Sequence, residues 1–194
     1  MIITVTSFKG GVGKSTTAIH IAAYLGTKQG KKIVLADGDL NRSVVSWAER
    51  GNKLPFTVCD GNSIPDEYDH LVIDTPARPS SDELIALADT SDLLVIPTTP
   101  TTFSLEATIG TLNELPSDSY KVLLTSVPPR PSKEGDKARA ALIQAGLPLF
   151  KGWIRRFAVY LKAENAGCPV YAVKDPRAMD AWSDYEAVGK EISR

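Results

Sequence analysis

The chain has little cysteine, no long apolar run and almost no net charge. Its two cysteines, Cys59 and Cys168, lie far apart and form no C-x-x-C pair, so they read as cytosolic structural thiols. No apolar stretch approaches the ~18 residues of a membrane span, and the N-terminal segment lacks a signal-peptide core. The expected setting is soluble and cytoplasmic. A net charge of -1 supplies no global attraction to nucleic acid, so any basic site must be a local patch. Repeats, low-complexity tracts and linkers are also missing. With 194 residues, 43% of them hydrophobic, residues 1–194 are expected to form a single domain with a good core.

What the chain does have is a series of short apolar runs suited to buried strands: "IITVTS", "KIVLAD", "HLVIDTP", "DLLVIPTTP" and "YKVLLTSV". Helical patterns lie between several of them. Ala18, Ile21, Ala22 and Leu25 share one face of a helix that Gly30 would help end, and Ser80 and Glu83 stand at capping-box spacing. Further helices are expected at 133–145, 156–165 and 178–192. Strands apolar throughout, alternating with helices, predict an α/β fold: a mostly parallel, twisted sheet covered by helices on both faces. Ligands of such sheets bind where the strands end and the loops begin.

The first such loop is "FKGGVGKST", between a strand end and a helix. Gly10, Gly11 and Gly13 permit backbone geometries that side chains would block, so the N–H groups of 10–13, Val12 included, can point at phosphate oxygens. The helix that opens at Ser15 and Thr16 adds its partial positive charge. Lys14 would reach the β- and γ-phosphates and Ser15 would offer its hydroxyl to Mg²⁺. The loop is therefore expected to bind a nucleoside triphosphate, although Phe8 stands where G-x-x-x-x-G-K-[ST] has its first glycine.

K-G-G-x-G-K-[ST] resembles the deviant Walker A box of the ParA/MinD superfamily of ATPases, P-loop NTPases marked by a second lysine. In that family the extra lysine crosses a dimer interface to the partner's phosphates, a role the resemblance gives to Lys9. The family's D-x-D-P-Q is matched by Asp37 and Asp39, while Leu40 and Asn41 depart from Pro and Gln. By resemblance Asp37 holds the attacking water and Asp39 belongs to the metal shell; a helix-capping pair is the alternative. "HLVIDTPAR" matches the Walker B strand and places Asp74 to organise Mg²⁺ with Ser15. "LLVIPTTPTTFSLEA" and the tail "YAVKDPRAMDAWSDYEAVGKEI" resemble the segments that follow. "VLLTSVPPRP" sits where the family contacts the purine, with Thr125 or Ser126 in place of its usual Asn.

The resemblance implies ATP, Mg²⁺ and an ATP-dependent homodimer. Neither cysteine is placed for the iron–sulfur bridge of nitrogenase-reductase-like members. The tail is not the basic amphipathic helix of MinD-like members, which points away from a membrane. The chain opens directly on a strand, without the helix-turn-helix of large plasmid ParA proteins. This leaves the small ParA type, nucleoid-associated, which binds DNA without sequence preference and positions a plasmid, chromosome or carboxysome-like cargo through a ParB-like or other adaptor that stimulates hydrolysis. Between 151 and 162, Lys151, Arg155, Arg156 and Lys162 occur without an acid, a candidate DNA patch; Arg130, Lys133, Lys137 and Arg139 form a second. Far along the chain from the glycine loop, Arg155 and Arg156 are expected to be separable from ATP turnover. An ATP-locked scaffold with incidental hydrolysis, or a MinD-like membrane-surface ATPase, is the alternative function.

Overall fold

A computed structural model describes residues 1–112, 115–116 and 118–193. Six parallel strands form one sheet in the order β3-β2-β4-β1-β5-β6: β1 (Ile2–Ser7), β2 (Ile33–Asp37), β3 (Thr57–Asp60), β4 (His70–Ala77), β5 (Leu93–Thr98) and β6 (Tyr120–Leu124). Every residue of β2 is buried, as a strand covered on both faces requires. Alternate residues feed two cores. Val95 and Leu123 face α1 (Lys14–Gln29), α6 (Val159–Ala166) and α7 (Ala178–Ile192), while Leu94, Ile96 and Val122 face α3 (Ser81–Thr90) and α5 (Glu134–Gln144). The helices on both faces are those the apolar strands demand.

The chain leaves β1 toward β2 on one side, and β4 then slots between the two before β5 pairs with the other side of β1. The loops after β1, β2 and β4 therefore converge at the carboxyl ends of neighbouring strands, where α/β sheets bind ligands. Asp37 and Asp74 end up in register with each other on adjacent strands. Asp37 stands at the end of β2 and Asp74 within β4, which runs on to Ala77 where the sequence reading had a loop.

Several elements differ from the sequence reading. The expected helix at 156–165 begins at Val159, because the residues before it run extended: Arg155 bridges Val127, and Arg156 N donates to Val127 O. Two short elements, α2 (Ser43–Arg50) and the edge strand β3, have too few residues to show a period. The Ser-Leu-Glu of "LLVIPTTPTTFSLEA" lies inside α4 (Thr102–Leu112). The capping box at Ser80 and Glu83 is present, with both reciprocal bonds made.

His20 ties α1 to the C-terminal segment. Its Nδ1–H donates to Thr16 O at 2.7 Å, its Nε2 accepts from Val170 N at 3.0 Å, and the ring stacks on Tyr185 at 4.6 Å. Since Thr16 O can only accept and Val170 N–H can only donate, the ring is held as one neutral tautomer. Burial lowers its pKa from 6.5 to about 4. A histidine depressed in the folded state is protonated first in the unfolded chain, so stability falls as pH drops below 6.5 and levels off near 4. The expected loss across that window is about 3 kcal/mol. Urea unfolding followed from pH 7 to pH 4.5 checks it, and His20→Gln should flatten the slope.

Candidate phosphate-binding site

The glycine loop after β1 takes the form its composition permits. Gly11 and Gly13 have φ of +76° and +82°, in the left-handed region that glycine tolerates. A Cβ at Gly10 or Gly11 would meet no atom within 4 Å, so this side of the loop faces open space. α1 starts with no side-chain cap and no acid in its first turn, which leaves its N-terminal N–H groups and dipole for an anion. The other side is anchored: Val12 is buried, and its carbonyl accepts from Thr125 Oγ1 at 2.7 Å. An open cleft of about 480 Å³ lies against the loop, with Lys9, Lys14, Ser15, Thr16 and Asp39 among its walls.

Lys14 and Ser15 converge on one carboxylate. Lys14 Nζ stands 2.8 Å from Asp74 Oδ1, and Ser15 Oγ donates to Asp74 Oδ2 at 2.6 Å. Asp74 is 0% exposed. Burial pushes its pKa up, while the Lys14 ammonium and the two hydrogen bonds hold it back. Among the described residues no three His, Cys, Asp or Glu side chains gather to hold a metal by themselves. A serine hydroxyl and an aspartate meeting at one point are instead hard oxygen donors suited to Mg²⁺, which keeps water and phosphate among its ligands. The residues present fit that ion.

The two aspartates after β2 have different surroundings. Asp37 is buried, and its Oδ2 accepts from Val44 N at 2.7 Å and Val45 N at 3.0 Å while Oδ1 accepts from Asp39 N at 3.2 Å. It thus caps the N-terminus of α2, whose own N-cap, Arg42, contributes no side-chain bond. Asp39 is half-buried on the wall of the cleft, where its Oδ1 accepts from Asn41 N and Nδ2 at 3.0 and 2.9 Å. Capping therefore falls to Asp37 alone. Leu40, where the resemblance has proline, is 95% exposed.

A smaller cavity of about 130 Å³ continues from Gly13 and Thr16 past Thr125 and Ser126 to Arg155 and Arg156. Ser126 has a φ of +52°. This corrects the expectation that Arg155 and Arg156 are remote from the loop: parallel pairing of Val127 with Arg155 brings them beside it. The candidate basic patch is also less free than its sequence suggests. Arg155 Nη2 pairs with Asp184 Oδ1 at 2.8 Å and donates to Asp180 O, and Lys162 pairs with Asp175. The acids come from α7 and the segment before it, so a window of twelve residues could not show them. Lys151 and Arg156 are exposed, with no ion pair found for either among the described residues. Of the second patch, Arg130 pairs with Asp136 at 2.9 Å.

Lys9 lies on the cleft wall, its carbonyl accepting from Ser7 Oγ. Its ammonium lies over the ring of Phe103, 5.5 Å from the centroid. Sequence reasoning did not single out Phe103, and only its position just past a strand end marked it.

A parallel α/β sheet with a glycine loop, a lysine and a serine gathered on a buried aspartate of the neighbouring strand defines a P-loop nucleotide-binding protein. Residues 3–170 match the family described as the CobQ/CobB/MinD/ParA nucleotide binding domain, and the chain belongs to that family. It is 34% identical to the "Maintenance of carboxysome distribution protein A" of Gloeobacter kilaueensis over 100% of this chain and 94% of that one. Among solved structures, the MinD cell division protein of Aquifex aeolicus superposes with a TM-score of 0.73 at 20% identity, covering 99% of this chain and 96% of that one. A ParA family ATPase from Chlorobium tepidum gives 0.72 at 16% identity, covering 98% of each.

Proposed function

We propose that this chain is an ATPase that dimerises on binding ATP, holds DNA without sequence preference and positions a large cargo through an adaptor that stimulates hydrolysis. The observation that carries the reading is the pair of lysines on one glycine loop: Lys14 rests on Asp74 inside the site, while Lys9 stands out on the cleft wall. The name of the Gloeobacter relative supports a cargo of carboxysome type.

In this reading the N–H groups of Gly10 to Gly13 and the start of α1 bind the phosphates, joined by Thr16. Lys14 leaves Asp74 Oδ1 for the β/γ-phosphate oxygens, exchanging one anion for another. Ser15 and Asp74 would hold Mg²⁺, with Asp39 in the surrounding shell. When bound, the ion neutralises charge on the β- and γ-phosphate oxygens. Asp37, fixed by backbone amides, orients the attacking water, and Lys9 reaches the phosphates held by a second copy. The body is cytoplasmic and nucleoid-associated.

DNA binding is assigned to Lys151 and Arg156, the members of the patch for which no ion pair is found among the described residues, with Arg155 serving to brace α7. One monomer's patch is small; an ATP dimer doubles it and makes the second contact intramolecular. Binding should require ATP, ignore sequence and fall steeply with salt. Reversing charge at Lys151 and Arg156 removes two contacts per subunit, so the log–log salt slope should drop by up to roughly 3.6. Because Arg156 lies beside Thr125 and Ser126, turnover without DNA is measured alongside. A variant with normal turnover and an unchanged slope would show that these cations are only solvated.

A further inference from the structure

Phe103 is a large apolar ring left 75% exposed at the start of α4, beside Lys9 of the phosphate-cleft wall. Burial gives it little, yet the segment that carries it is pinned by a network of hydroxyls. Thr98 Oγ1 donates to Ser104 O at 3.2 Å, Thr99 Oγ1 to Ser104 Oγ at 2.8 Å, and Thr108 Oγ1 to Thr98 Oγ1 at 2.9 Å. The same network reaches the glycine loop. Thr125 N donates to Thr98 O, and Thr125 Oγ1 bonds Val12 O three residues from Lys9. The ring and the lysine are thus fixed to one frame, with the ammonium 5.5 Å from the ring centroid.

A lysine on an open wall samples many rotamers, and ordering one costs entropy. Lys9 also has a competitor nearby, since Asp39 lines the same cleft. An aromatic face attracts an ammonium without neutralising it. The ring can therefore hold Lys9 at the rim and keep it off carboxylates and phosphates of its own subunit, with its charge still available to another.

We propose that Phe103 is a positioning residue for Lys9, holding the ammonium extended at the rim of the cleft for the phosphates bound by a second copy of this chain. This rests on the dimer reading given under Proposed function. A cation–π contact at an exposed site is worth roughly a two- to fivefold change in an equilibrium constant, and a dimer contains two of them. Phe103→Leu should therefore weaken dimerisation on a non-hydrolysable ATP analogue by about four- to twenty-fivefold. Phe103→Tyr, which restores the π face, should return it close to wild type. ATP affinity of the monomer, read by calorimetry, should stay unchanged in both.

Sedimentation of the 194-residue chain with the analogue reads the dimer constant, with Lys9→Ala as reference. A Phe103→Leu dimer as tight as wild type, or a Phe103→Tyr dimer as weak as Phe103→Leu, overturns the proposal. A second readout does not need a dimer: the Lys9 ε-methylene protons should be shifted upfield by the ring in NMR spectra of the free chain, and Phe103→Leu should abolish the shift. Absence of a ring-current shift in the wild-type chain also overturns it. A wild type that stays monomeric with the analogue while keeping the shift would sink the dimer reading and, with it, Lys9's role across the interface, leaving the clasp itself intact.

Discussion

Lys14→Ala is expected to lose ATP binding by at least about a hundredfold, since in the proposed reading its ammonium makes charge-assisted contacts to both phosphates, each worth about 1.5–3 kcal/mol. The same substitution should disturb the empty site. Lys14 is the cation paired with Asp74, whose carboxylate is 0% exposed and whose pKa burial already pushes up. Breaking a buried pair by removing one member costs up to about 3–5 kcal/mol, and here the cost is reduced because Asp74 can take up a proton. Calorimetry reads the first effect and urea unfolding the second. Near-normal ATP affinity in a folded Lys14→Ala chain would remove Lys14 from the phosphate site.

The second large effect is expected at Asp37. On the proposed assignment of the attacking water to Asp37, removing its carboxylate should slow hydrolysis by about a hundredfold or more while leaving phosphate binding to the loop and Lys14. Asp37 also caps α2 through Val44 N and Val45 N, so Asp37→Ala should destabilise the fold by about 1 kcal/mol as well. Asp37→Asn, which keeps an oxygen for those amides, separates the two roles: it should retain most of the stability but not the turnover. Single-turnover hydrolysis alongside ATP binding is the measurement. If Asp39→Ala is the variant that binds ATP and fails to hydrolyse it, with Asp37→Ala impaired only in stability, the water belongs to Asp39.

Much of the site was legible because it is local. Lys9 to Thr16 is one continuous stretch, and Asp37 and Asp74 each end an apolar run, so strand, loop and helix order sufficed to place them. Non-local pairings were less accessible. Asp37 caps a helix that starts six residues on, too short to announce itself. Thr125 reaches back 113 positions to brace Val12. Arg155 looked like a free cation until α7 brought Asp184 against it. Whether Arg156 lay near the phosphate loop depended on the extended run that pairs Val127 with Arg155, where a helical pattern had been expected. Phe103 was hidden for another reason: exposed aromatics carry no periodic signal, and its use depends on the lysine that the fold sets beside it.

The most direct test of the whole account is the mass of the 194-residue chain by multi-angle light scattering, with ADP and then with a non-hydrolysable ATP analogue and Mg²⁺. Two lysines on one loop, one turned to the inner site and the other to the rim, predict a monomer of 20.9 kDa with ADP and a species of twice that mass with the analogue. A chain that binds the analogue tightly yet keeps the monomer mass would contradict it.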